Sequence, residues 1–127
     1  MKAILLVDHG SIRKEANEML IDMAKLVQSM AGDAAIIEYA HMELAEPTIA
    51  QGISKCVEAG ATDVTVFPYM LSPGRHSTTD IPRMVNEVAP KYPDVRFSVT
   101  PPFGINEKLG EVILSRAQID VAPVVAD

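Results

Sequence analysis

Apolar positions along this chain switch repeatedly between a strand pattern and a helical one. Ala3 to Val7 is an unbroken apolar run of strand length, the pattern of a strand covered on both faces. From Ala16 on, Met19, Leu20, Met23, Leu26, Val27 and Met30 recur at helical spacing until Gly32 stops the helix. Ala34 to Ala40 predicts a second buried strand. Pro47 suits a helix start, and Ile49, Ile53, Val57 and Ala61 carry the next stripe to just beyond Gly60. Val64 to Phe67 predicts a third strand. Ile81, Met84, Val85 and Val88 predict a third helix, closed by Pro90 and Pro93. Val95, Phe97 and Val99 alternate as a fourth strand at an edge of the sheet. Leu109, Val112, Ile113 and Ala117 are expected to face inward on a last helix, and residues 120–127 read as a loose tail.

The order is strand then helix, four times over. That order predicts an α/β fold: a three-layer, doubly wound, four-stranded parallel sheet with helices on both faces. Residues 1–119 are expected to form one domain, with no internal repeat and no linker. Right-handed crossovers place every loop from strand to helix on one edge of the sheet, and in open α/β sheets that edge binds ligands.

The loop after the third strand carries Pro73, Gly74, Arg75 and His76. Ser77, Thr78, Thr79 and Asp80 then offer side chains that can cap a helix, and Pro82 suits its first turn. The chain has three histidines, His9, His41 and His76, each at or just past the end of one of the first three predicted strands. A parallel sheet brings all three to the same edge. Asp8 precedes His9, and Glu43 and Glu46 follow His41. Imidazole and carboxylate together suit a divalent transition metal, proton transfer near neutral pH, or both. Asp8 can instead cap the strand end, and Glu46 can be a charge that favours a helix N-terminus.

Composition narrows the choices. With 48% hydrophobic residues and no Trp, the 127-residue chain has an aliphatic core in prospect, with Met as filler. A formal charge of −6 argues against a nucleic-acid binder. It also requires any anionic ligand to be met by local cations. The single cysteine, Cys56, can form neither an internal disulfide nor a paired-cysteine metal site, and its place in the second helical stripe predicts a buried structural thiol. No apolar run reaches membrane-spanning length, and the opening run is too short for a signal peptide, so a cytoplasmic protein is expected. Phosphate-loop, dinucleotide and nucleophile-elbow motifs are absent from the sequence.

Three segments carry a specific resemblance. Asp8-His9-Gly10-Ser11 resembles the opening Gly-His-Gly-Ser of the small class II chelatases, with Asp in place of the first Gly. The stretch from His41 to Pro47 resembles the segment after their second strand. Pro73-Gly74-Arg75-His76 with Asp80-Ile81-Pro82 resembles the segment after their third. Over residues 2–117 the chain is similar to the sirohydrochlorin chelatases of the short CbiX and SirB type, and most of all to the SirB-type ferrochelatases. The resemblance implies a lyase that inserts Fe²⁺ or Co²⁺ into sirohydrochlorin with release of two protons, toward siroheme or cobalamin. It implies no permanently bound cofactor: the divalent metal, Fe²⁺, Co²⁺ or Ni²⁺, is a substrate. His9 and His76 match the family's metal-binding and catalytic histidines, and Glu43 its acidic helper. Ser11, Arg13, His41, Arg75 and Ser77 are expected to meet the carboxylates of the macrocycle. Arg13 and Lys14 also fit as ordinary first-turn surface charges. Many bacterial relatives lack a histidine at the place of His41, which suits a supporting role for it. Longer chelatases use two such halves, so the resemblance also implies a homodimer. A tetrapyrrole or metal carrier without turnover is the alternative from a different class.

Overall fold

The computed structural model describes residues 1–123. It contains four strands and four helices of eight or more residues: β1 (Lys2–Asp8), α1 (Lys14–Ala31), β2 (Ile36–His41), α2 (Ile49–Glu58), β3 (Asp63–Pro68), α3 (Ile81–Val88), β4 (Arg96–Val99) and α4 (Glu107–Arg116). All four strands are parallel, in the order β2-β1-β3-β4. The predicted α/β sheet is therefore present. Of the expected tail, residues 120–123 are exposed and belong to no helix or strand, and 124–127 lie outside the described residues.

Strand alternation divides the core in two. Ala3, Leu5 and Val7 of β1, with Val64 and Val66 of β3, face Ile49, Ile53 and Cys56 of α2 and Ile81 and Val85 of α3. Leu6 and Ile37 face Leu20 and Ala24 of α1 on the other side. Burial on both faces is why β1 reads as a continuous apolar run.

Two expectations about helices need correcting. The side chains of Ser77 to Asp80 do not cap α3. Residues His76–Asp80 already form a wide π-helical turn that runs directly into the helix, with the Ile81 N–H donating to the His76 carbonyl. A start inside continuous helix leaves no free amides for a cap to satisfy. The last helix is present where its spacing placed it, but its stripe does not face inward. No residue of α4 is buried, and Val112 and Ile113 are 48% and 68% exposed. An amphipathic pattern shows that a face needs cover; it does not name the surface that covers it.

Cys56 is fully buried, and that burial, helped by the charge of Glu38, pushes its thiol up to about 12. The nucleophile is the thiolate, so a thiol held protonated is inert. The native protein at pH 8 should resist iodoacetamide for hours, whereas protein in strong denaturant should be modified at one site within minutes. Mass spectrometry reads the difference, and rapid native labelling would contradict the packing.

Candidate active site

The register sets the site. Asp8 pairs with His41 across β1 and β2, and Val7 pairs with Pro68 across β1 and β3, so the three strands end level. The chain winds one way from β1 to β2 and the other way to β3 and β4. The loops after β1 and β3 therefore diverge from a shared crevice, the place where such sheets bind ligands. His9 follows β1 and His76 precedes α3, one on each side of that crevice. Their rings are 4.4 Å apart between centroids and nearly perpendicular, at 81°. A cavity of about 340 Å³ opens beside them, walled by Tyr69, Met70, Leu71 and Pro73.

Each histidine is held by its own loop. In the first loop, Asp8 Oδ1 accepts from the Gly10 N–H at 2.9 Å. The Asn17 side chain accepts from the Ser11 N–H and donates to the Ser11 carbonyl. Gly10 has φ of +85°, and a Cβ there would stand 1.8 Å from the Glu43 carbonyl oxygen. Only glycine fits. The β2 loop then continues the strand pairing: Met42 N–H donates to the Asp8 carbonyl and Glu43 N–H to the His9 carbonyl. Glu43 is thus tied to His9 through the backbone, with its carboxylate in solvent.

In the third loop, Ser77 Oγ accepts from the Gly74 N–H and donates to the Gly74 carbonyl. His76 donates from Nδ1 to Asp80 Oδ2 at 2.9 Å. In a neutral ring, a carboxylate on Nδ1 makes Nε2 the lone-pair nitrogen and fixes the ring's direction, the arrangement that orients metal-binding histidines. Asp80, which the sequence reading took for a cap, instead bonds His76. Its signal was the spacing of four residues from His76 along one helical turn.

Two of the expected substrate contacts are buried. His41 is 1% exposed and donates from Nδ1 to Asp8 Oδ1 at 2.6 Å. Ser77 is 4% exposed, and its hydroxyl serves the Gly74 turn. Both residues build the loops. Glu46 sits two residues before Thr48, which caps α2 in a reciprocal pair with Gln51. Arg13 and Arg75 are exposed on the two loops that carry His9 and His76, and among the described residues neither forms an ion pair. Ser11 is half-buried, and its Oγ accepts from the Arg13 N–H.

A further feature escaped the sequence reading. Each of the four loops at this edge exposes one large aliphatic side chain: Ile12, Leu44, Leu71 and Ile105, all at least 65% exposed. Only Ile12 stands alone in an otherwise polar loop; the other three have apolar neighbours in their loops, so the sequence did not single them out. Among the described residues, no three His, Cys, Asp or Glu side chains come together as a metal cage. The site offers two imidazoles, two free guanidinium groups and an apolar rim.

Comparison with known proteins agrees with this geometry. The family model described as CbiX matches residues 3–119. The chloroplastic sirohydrochlorin ferrochelatase of Arabidopsis thaliana is 41% identical over 124 residues, spanning 98% of this chain and 55% of the relative. A sirohydrochlorin cobaltochelatase of Priestia megaterium is 36% identical over 121 residues, spanning 93% of this chain and 38% of the relative. The crystal structure of the sirohydrochlorin chelatase SirB from Bacillus subtilis subspecies spizizenii, in complex with cobalt, superposes with a TM-score of 0.84 at 33% identity. That match covers 92% of this chain and 50% of SirB. The chain thus spans about half the length of these relatives.

The Asp8–His41 contact generates a thermodynamic test. Asp8→Gly leaves a buried imidazole N–H without its acceptor and should cost about 1–3 kcal/mol. Once His41 is Ala, the same change should cost much less. Urea denaturation of the four proteins of the cycle should give a coupling of about 0.5–3 kcal/mol. Simple additivity would show that the two side chains do not support each other.

Proposed function

The chain belongs to the CbiX family, and we propose that it inserts a divalent metal into sirohydrochlorin with loss of two protons. The observation that carries the reading is the His9–His76 pair across the crevice, with His76 oriented by Asp80. Two neutral imidazoles hold one metal ion by their free ring nitrogens. The macrocycle gives up two pyrrole N–H protons as the metal enters its centre. When the ion leaves the imidazoles, each recovers a lone pair and accepts one of those protons. Glu43, tied to His9 and open to water, passes protons outward.

The remaining features suit the same substrate. The flat conjugated face packs against Ile12, Leu44, Leu71 and Ile105, while its carboxylates meet Arg13, Arg75 and Ser11. Imidazole ligands take iron, cobalt and nickel alike, so metal supply selects the product. The enzyme acts in the cytoplasm, where a lone thiol such as Cys56 stays reduced. It acts as a homodimer. No helix among the described residues is long and apolar enough to cross a membrane.

Absorbance of sirohydrochlorin with excess Co²⁺ or Fe²⁺ tests the reading. The protein should complete many turnovers, whereas a carrier would stop at one equivalent. His9→Ala and His76→Ala should each lower the rate about a hundred-fold or more with the fold retained by circular dichroism. Near-normal rates in both would remove the imidazoles from the mechanism.

Arg75 stands on the His76 loop and reaches no carboxylate of its own chain among the described residues. Arg75→Ala should therefore raise KM for sirohydrochlorin while leaving kcat close to wild type, the pattern of lost uniform binding. A defect confined to kcat would place Arg75 in the chemical step instead.

A further inference from the structure

The loop after β2 is a tight excursion. It leaves the sheet at His41 and closes at its base, where the His41 N–H donates to the Pro47 carbonyl at 2.8 Å. Leu44 stands midway between the two. Its backbone lies in the left-handed region, at φ of +68°. Among the described residues one other non-glycine does so, Gln118, which follows α4, where a left-handed residue is an ordinary helix stop. No helix ends at Leu44. The conformation there suits Gly or Asn and strains a bulky side chain.

The loop cannot relax toward its neighbour. Met42 and Glu43 donate from their amides to the Asp8 and His9 carbonyls, at 2.9 and 3.0 Å. The Glu43 carbonyl oxygen lies 1.8 Å from where a Cβ on Gly10 would stand. Strain persists where the surrounding structure fixes it, and such places cluster at ligand sites. The fold accounts for the turn but not for the leucine. Its side chain is 65% exposed and belongs to neither core cluster. A lone exposed leucine is ordinary. An exposed leucine in a conformation that glycine adopts freely weakens the fold and adds no burial.

We infer that Leu44 is a substrate-contacting residue, held out by the strained turn to bear on the apolar body of the macrocycle. This assignment rests on the function proposed above. The residue before it, Glu43, is bonded through its amide to His9, so the tip of the loop belongs to the histidine edge. Arg13 and Arg75 are exposed on the other loops of that edge. A ligand with a charged rim and a flat conjugated centre needs an apolar contact for the centre as well as cations for the rim. A fixed contact also loses little freedom on binding, and a turn closed at its base is fixed.

Leu44→Gly should move stability and affinity in opposite directions. Its thermal unfolding midpoint should equal or exceed that of the wild type, because glycine relieves the turn. Its Kd for metal-free sirohydrochlorin, read by fluorescence titration, should rise about ten-fold, the size expected when an apolar side chain no longer covers the ligand. Leu44→Met, which restores the apolar reach, should recover most of the affinity. Leu44→Asn, which suits the turn but is polar, should not. An unchanged Kd in Leu44→Gly, with the wild type turning over, would overturn the contact alone. A wild-type protein that does not bind sirohydrochlorin would overturn the contact and the proposed function together. A lowered midpoint in both Leu44→Gly and Leu44→Asn would assign the leucine to the fold and overturn the inference.

Discussion

One carboxylate ties together the loop edge of the sheet. Asp8 closes the central strand, and a single oxygen of its side chain accepts from the Gly10 amide and from the buried imidazole of His41. The first bond shapes the loop that presents His9. The second locks the end of β2 to the end of β1. Because His41 is buried, its N–H has no water to fall back on, so the contact holds both strands at one level. The β2 loop then pairs backbone to backbone with Asp8 and His9. His9 owes its position to a strand end, a glycine that admits no side chain, and the loop lying against it.

Much of this was legible in the sequence because the sheet is parallel. Strands buried on both faces write themselves as unbroken apolar runs, and Ala3–Val7 is such a run. Crossover handedness then brings His9 and His76 to one edge without any knowledge of side-chain packing. Burial was not legible. A histidine or serine at a strand end or in a loop reads equally as a contact for ligand or as a structural group. His41 and Ser77 are buried, and each meets a partner contributed by another stretch of chain or by a tight turn. Asp80 was hidden for a related reason. Its residue type suits a helix cap, and only a helix that begins one turn early turns it toward His76.

The stripe on α4 shows the same limit at a larger scale. Its spacing correctly announced a helix with one apolar face. Whether that face meets its own sheet depends on where the preceding loop is fastened. Here Phe103 and Gly104 are fastened to Met70 and Leu71 in the loop after β3. Hydrophobic periodicity reports the demand for burial, and the anchors of the connection decide what supplies it.

Under the function proposed above, the site delivers a metal and so faces a constraint that a storage site does not. Three or four anionic ligands would hold a divalent ion tightly and release it slowly, since each adds charge to the cage. Two neutral imidazoles would bind it less strongly, and each regains a lone pair for a proton when it departs. Asp80 sharpens His76 as a ligand while remaining bonded to the ring and outside a joint cage. Carboxylates also stand back for a second reason. A polyanionic macrocycle approaching a chain of formal charge −6 is repelled overall, so the edge it meets must be locally neutral or basic. Placing Asp8 and Asp80 in hydrogen bonds to histidines, and leaving Arg13 and Arg75 free, goes toward both requirements with the same few side chains.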